Sequence, residues 1–113
     1  MHEMSLAEGI IQLLEDQASK QSFTRVKQVW LEIGLLASVD VDSLLFSLDI
    51  VSRDTLADGA AIHLSQPAGQ GWCLQCSQSV MLENSYQGCP RCGSFQIQVT
   101  AGDSMRVIEL QVE

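Results

Sequence analysis

Two sets of residues have types and spacing that point to chemistry. The first is Cys73-Leu-Gln-Cys76, twelve residues, then Cys89-Pro-Arg-Cys92-Gly93. In a C-x-x-C hook, two sulfurs of one tight turn reach a single ion, and two such hooks at this separation point to a four-thiolate zinc site. Gly93 allows the backbone to turn back so that amide N–H groups can face the thiolates. Four thiolates fill a tetrahedral shell and leave no position for water, so the zinc expected here is structural rather than catalytic. A pair of disulfides is the competing arrangement. A redox C-x-x-C needs one hook that opens a helix, whereas these two sit in turns. Iron–sulfur ligation also uses four cysteines, but regular paired hooks favour zinc.

The second set is Met1-His2-Glu3. A histidine next to a free α-amine can chelate a metal through the amine, the intervening amide and the imidazole, and the amide of Glu3 can add a fourth nitrogen. The resulting square-planar field suits Ni(II) or Cu(II) and not zinc. His2 is large, so Met1 is expected to stay on the chain. By itself the tripeptide also fits an exposed terminus, with Glu3 favouring the positive end of a first helix. His63 is the other histidine and falls on the outward side of an alternating segment, which reads as a solvated surface position.

The chain has 113 residues, 46 % apolar and 18 % charged, an ordinary globular balance that argues against disorder. Fourteen acidic against six basic residues give a charge of −8, which repels phosphate backbones and argues against nucleic-acid binding. The cysteine lobe carries a single arginine, Arg91, and no lysine, a poor footprint for a nucleic-acid-binding ribbon. No apolar run approaches the ~18–20 residues of a membrane span. No secretory signal is visible, so a cytoplasmic protein with a working N-terminus is expected. There is no serine–histidine–carboxylate set, phosphate loop or dinucleotide-binding turn, so an enzyme is not expected.

The elements that position these residues follow from periodicity. Ser5-Leu6-Ala7-Glu8 fits a capping box, which predicts a helix over 5–21 with residues 1–4 as an extended arm. Leu6, Ile10, Leu13, Leu14 and Gln17 mark its inner stripe. Val29, Leu31 and Ile33 alternate with Trp30 and Glu32, which predicts a strand over 24–34. A second helix starts near Asp40, with Val41, Leu44, Leu45, Leu48 and Val51 on one face. A strand over 60–66 turns Ile62 and Leu64 inward and His63 outward. A final strand over 104–113 turns Ile108, Leu110 and Val112 inward. Residues 67–101 interrupt this body. They open on a turn-rich Pro-Ala-Gly-Gln-Gly linker and hold too few large apolar side chains to fold without a staple. The fold expected is α+β, with two helices packed on a small, mostly antiparallel three-stranded sheet. The domains are 1–67 completed by 101–113, with an inserted zinc-ribbon-like lobe over 68–100.

Taken together, Met1-His-Glu-Met-Ser-Leu6, Val29-Trp-Leu-Glu-Ile-Gly34, the two cysteine hooks and Gly102-Asp-Ser-Met-Arg-Val-Ile-Glu-Leu-Gln-Val-Glu113 resemble the HypA/HybF family along essentially the whole chain. The resemblance implies a nickel metallochaperone of [NiFe]-hydrogenase maturation with Ni(II) as cargo and Zn(II) as a structural ion. His2 matches the family's nickel ligand, completed by the Met1 amine and the Glu3 backbone. Cys73, Cys76, Cys89 and Cys92 match its zinc ligands. The implied partners are the GTPase HypB and the hydrogenase large-subunit precursor. Val39-Asp-Val-Asp42 departs from the proline-containing turn common in the family. Some relatives also serve urease. The alternative function is an acidic zinc-ribbon regulatory or interaction protein without nickel transfer. A zinc hydrolase is a further class, which a closed four-thiolate site disfavours.

Overall fold

The computed structural model describes residues 2–113. The elements run α1 (His2–Gln21), β1 (Val26–Ile33), α2 (Val41–Val51), β2 (Ala61–Ser65), β3 (Gly69–Cys73), β4 (Gln78–Leu82), β5 (Ile97–Ala101) and β6 (Met105–Val112). They form two three-stranded sheets, ordered β2-β1-β6 and β4-β3-β5. The chain divides into two compact units. One holds the segment ending at Leu31 together with Val39–His63 and Val107–Glu113; the other holds Glu32–Ser38 and Leu64–Arg106.

In the first unit, Val26, Val29 and Leu31 of β1 are 1 % exposed and form the floor of the core. The buried stripe of α1 is Ala7, Ile10, Ile11 and Leu14, a spacing of three and four residues. Leu13 was expected on that stripe and is instead 43 % exposed, because Ile11 takes the inward position and turns Leu13 to the flank. Helix α2 buries Leu44, Ser47 and Leu48, and its N-cap is Asp40, whose carboxylate accepts the Ser43 N–H at 3.1 Å. The extended arm expected over residues 1–4 is corrected: the helix already includes His2, and Ser5 lies inside it rather than at its cap. A tertiary contact outweighs the local capping signal here, because the Glu3 carboxylate accepts the Asp40 N–H at 3.2 Å. His63 is on the exposed side of β2, as its alternation indicates, and its ring stacks on Trp30 with centroids 4.8 Å apart. Strand β6 departs from strict alternation. Leu110 is half-buried, but Ile108 and Val112, expected inward, are exposed, because the pattern slips where Ile108 and Glu109 both face solvent.

In the second unit, β3 is central and antiparallel to both neighbours. The Gly69-Gln-Gly stretch expected as linker is part of this strand. Its glycines are there for room rather than for turning. A Cβ on Gly71 would stand 2.5 Å from Ile97 Cγ2, and one on Gly69 would stand 2.3 Å from Leu36 Cγ. That clearance lets Leu36, Val80 and Leu82 close around Cys73 and Cys89, with Ile97 packed alongside. The connection at Gly34 is tighter still. Its N–H reaches the Ser104 carbonyl at 3.0 Å and the Leu36 N–H reaches that of Gly102 at 2.8 Å. A Cβ on Gly34 would lie 2.0 Å from the Gly102 oxygen, a backbone atom that cannot swing aside.

Two glycine substitutions therefore act in opposite directions. Gly34→Ala should lower unfolding stability by about 2 kcal/mol or more, through backbone displacement. Gly9→Ala, where a Cβ meets nothing within 4 Å, should raise it by up to about 1 kcal/mol through helix propensity. Denaturant titration of the two variants beside the parent checks both signs.

Candidate metal centre

The two hooks fold into matching knuckles. After each second cysteine the chain enters the left-handed region, at Ser77 (φ 55°) and Gly93 (φ 78°). The N–H of that residue then donates back to the carbonyl of the first cysteine: Ser77 to Cys73 and Gly93 to Cys89, both at 2.8 Å. The turn also aims amides at sulfur. The Cys76 N–H points at Cys73 Sγ and the Arg91 N–H at Cys89 Sγ, each at 3.4 Å. Such N–H···S contacts stabilise thiolate over thiol.

The sheet brings the knuckles together. Cys73 ends β3, directly opposite Gln78 of β4 and Ile97 of β5. The Leu74 N–H bonds the Gln96 carbonyl at 2.9 Å and joins the first hook to the segment after the second. All four sulfurs lie within 4.8 Å of one another. Across the hooks, Cys73 and Cys92 are 3.6 Å apart and Cys76 and Cys89 are 3.8 Å apart. A disulfide needs about 2.05 Å, and all four cysteines are free thiols. Sulfurs about 2.3 Å from a tetrahedral zinc stand about 3.8 Å apart, so the cluster has the dimensions of a zinc shell. Cys73 and Cys89 are buried, Cys76 is half-buried and Cys92 is exposed.

The electrostatics of the bare thiols agree with that fit. The Cys76 thiol is pushed up to about 12, first by its hydrogen bond to Cys92, then by desolvation and its bonds to the other two sulfurs. Cys89 is held down at about 6, chiefly by the Cys92 backbone N–H and also by that of Arg91, against the opposing effect of desolvation. The cluster thus tolerates one thiolate readily and resists the next. A divalent cation removes that conflict by neutralising charge at the centre.

The structure gathers the four sequence-predicted cysteines and leaves the other candidates apart. Neither His2 nor His63 belongs to a potential metal-ligand cluster among the described residues. His2 is exposed at the start of α1, Glu3 is half-buried, and Met1 lies outside the described residues. His63 Nε2 is hydrogen-bonded to Gln28, which in turn bonds Gln111. Sequence reasoning missed two supports of the centre. Leu36 comes from a segment distant in sequence, and no periodicity marks it. Ser77 occupies the position equivalent to Gly93 of the other hook, and that parallel was the signal available.

The whole-chain pattern has close counterparts. Residues 1–112 match the family model described as "Hydrogenase/urease nickel incorporation, metallochaperone, hypA". The chain belongs to the HypA family. It is 56 % identical to the hydrogenase maturation factor HypA of Azotobacter chroococcum mcd 1 and 54 % identical to that of Azotobacter vinelandii, in each case over 100 % of both chains. The fold is similar to the solution structure of the Ni metallochaperone HypA from Helicobacter pylori, with a TM-score of 0.73 at 24 % identity over 99 % of this chain and 97 % of that one. Membership makes the chain a nickel-incorporation metallochaperone of hydrogenase maturation, not an enzyme. The four-cysteine cluster fits the structural zinc expected from its spacing. No helix among the described residues is long and apolar enough to cross a membrane.

The knuckle backbone makes a testable asymmetry. Gly93→Ala has open space for its Cβ, so its whole cost is the left-handed conformation, about 1–2 kcal/mol. Ser77→Gly relieves the same strain and should cost nothing or stabilise slightly. Zinc loss to a competing chelator should therefore be faster in Gly93→Ala than in the parent, and no faster in Ser77→Gly.

Proposed function

We propose that the chain binds Ni(II) at its N-terminus and delivers it to the hydrogenase large-subunit precursor, working in the cytoplasm with the GTPase HypB. His2 supplies its imidazole, Met1 its α-amine and Glu3 its backbone nitrogen. Cys73, Cys76, Cys89 and Cys92 hold one structural zinc. The nickel-binding domain is 1–67 completed by 101–113, and the zinc domain is 68–100.

The observation that carries this reading is the separation of two unlike donor sets. Four soft sulfurs lie within 4.8 Å of one another, a donor set suited to tetrahedral zinc and to permanence. The Met-His-Glu terminus offers nitrogen donors from an exposed residue, suited to Ni(II) and to release. The position of His2 in α1 favours this use, because the first N–H groups of a helix have no acceptor within it. Glu3 holds that first turn by its bond to Asp40, so the donor-bearing end is tethered without being buried. Zinc, when bound, supplies charge neutralisation and a cross-link between the hooks. Nickel is cargo, and protons compete with it for the same nitrogens, so acidification favours release.

His2→Ala should abolish specific nickel binding and leave zinc content and melting close to the parent, since His2 contributes no core side chain. One residue added ahead of Met1 is the sharper variant. It keeps every side chain but converts the amine to an amide, and the square-planar Ni(II) absorption should vanish. Unchanged nickel affinity in that extended chain would sink the N-terminal site and make His63 or a cysteine the candidate ligand.

Removing zinc should unfold residues 68–100 and leave the two helices largely formed, because only that lobe depends on sulfur to complete its core. Circular dichroism during chelation checks this, and loss of most helical signal with the zinc would refute the separation of domains.

A further inference from the structure

The first unit holds a cavity of about 280 Å³, lined from α1, α2, β1, β2 and the segment between α2 and β2. Its wall includes Ile10, Ile11 and Leu14 of α1, Leu45 and Leu48 of α2 and Ile62 of β2. Asp49 and Ser52 are the polar side chains in that wall. Leu45 and Ser52 are half-buried and Asp49 is exposed, so the cavity opens to solvent beside the last turn of α2. Folded interiors leave few voids larger than a water molecule, because an empty space forfeits the contacts of its lining. An apolar hole of about 150 Å³ stays dry and takes up benzene. The present cavity is larger than that, yet below the ~300–1,000 Å³ of a cofactor or drug-sized site. An occupant of the right size is one large apolar side chain.

Charge decides what can carry that side chain. Residues 2–21 and 40–60 make up the two helices and the segment that closes the cavity. They hold nine acidic and two basic residues, a net −7 of the chain's −8. Several acids stand close to the lining: Asp49 is part of it, Glu15 follows Leu14, and Asp58 falls between Ala57 and Gly59. Nucleic acid and anionic membrane are repelled by such a surface. A second copy would bring the same −7 in its own helical layer. Of the four basic residues elsewhere in that copy, Lys27 and Arg106 are already ion-paired.

A segment with lysine or arginine on both sides of an apolar anchor satisfies both conditions. The anchor fills the cavity while the cations meet the acidic rim. Asp49 is paired with Arg53 at 3.2 Å, but both side chains are largely exposed, so the pair contributes little and an incoming cation can share the carboxylate. We infer that this cavity docks a basic segment of another protein, through one apolar anchor side chain inserted between α1 and α2 next to Asp49.

The test uses the full, zinc-loaded chain and a short blocked peptide with one phenylalanine flanked by lysines, followed by calorimetry and methyl-resolved NMR. The methyl resonances of Ile10, Ile11 and Ile62 should shift on binding. A peptide with serine in place of the phenylalanine should bind about tenfold or more weakly. A peptide with glutamates in place of the lysines should not bind measurably. In the protein, Ala60→Leu fills the cavity from its half-buried wall and should weaken binding about tenfold. Asp49→Lys alters only an exposed side chain and should also weaken it, which keeps the test open if Ala60→Leu fails to fold. Zinc content and nickel affinity should stay at parent values in both variants. Failure of the phenylalanine peptide to bind, or binding that leaves the three isoleucine resonances unmoved, would overturn the inference. Equal affinity for the serine peptide would overturn it too, by showing attraction of charge alone. Self-association of the parent that Ala60→Leu abolishes would assign the cavity to a second copy. Toluene that binds as tightly as the peptide would make it a site for a small apolar molecule. Either result also rejects the basic segment.

Discussion

Four sulfurs within 4.8 Å of one another are the constraint around which the second unit is built. Two of them, Cys73 and Cys89, are as buried as Val80 and Leu82, so sulfur fills core volume that carbon fills elsewhere. Their ionisation is the difficulty. Cys89 is driven toward thiolate by backbone amides while Cys76 is driven away from it by its neighbours. A bound dication turns that conflict into a cross-link, and the lobe's shortage of large apolar residues ceases to matter. The sheet serves the same end, because its central strand terminates at a ligand and its glycines let the surrounding side chains close.

The two metal positions in the proposed function differ in permanence because their surroundings differ. The cysteine shell is closed by two knuckles whose geometry is fixed by paired hydrogen bonds of 2.8 Å. Of the N-terminal donors, His2 and Glu3 begin α1, where the Glu3 carboxylate accepts the Asp40 N–H. A carrier needs that inequality. The ion that maintains the fold must not leave, and the ion that is delivered must.

The cysteine centre was legible because its information is local: each hook is complete within four residues. The inner faces of β1 and α2 were legible for a similar reason, since Val29, Leu31, Leu44 and Leu48 repeat at the period of their element. The start of α1 was not. Ser5 carries a good capping signal, yet the helix extends to His2 because Glu3 finds an acceptor role at Asp40, 37 residues away. Strand β3 was hidden by its own glycines, which read as a turn until Leu36 and Ile97 show why a side chain there would not fit. Leu13, Ile108 and Val112 look like core by type. Their exposure depends on which neighbour reaches the interior first, and spacing does not encode that.

The strand order also constrains how the chain can fold as it is synthesised. Strands β3 and β4 lie next to each other in sequence, and β5 follows within the same segment, so the zinc-binding sheet can assemble as soon as that segment emerges. Strand β1 lies between β2 and β6, and β6 is the last element of the chain. One edge of β1 therefore stays open through the synthesis of everything between them, a long-range closure of the kind that slows folding and invites mispairing. Zinc capture ahead of that closure shortens the loop of unfolded chain that β6 must span. The availability of one metal during translation thus bears on how efficiently the cell produces a carrier for another.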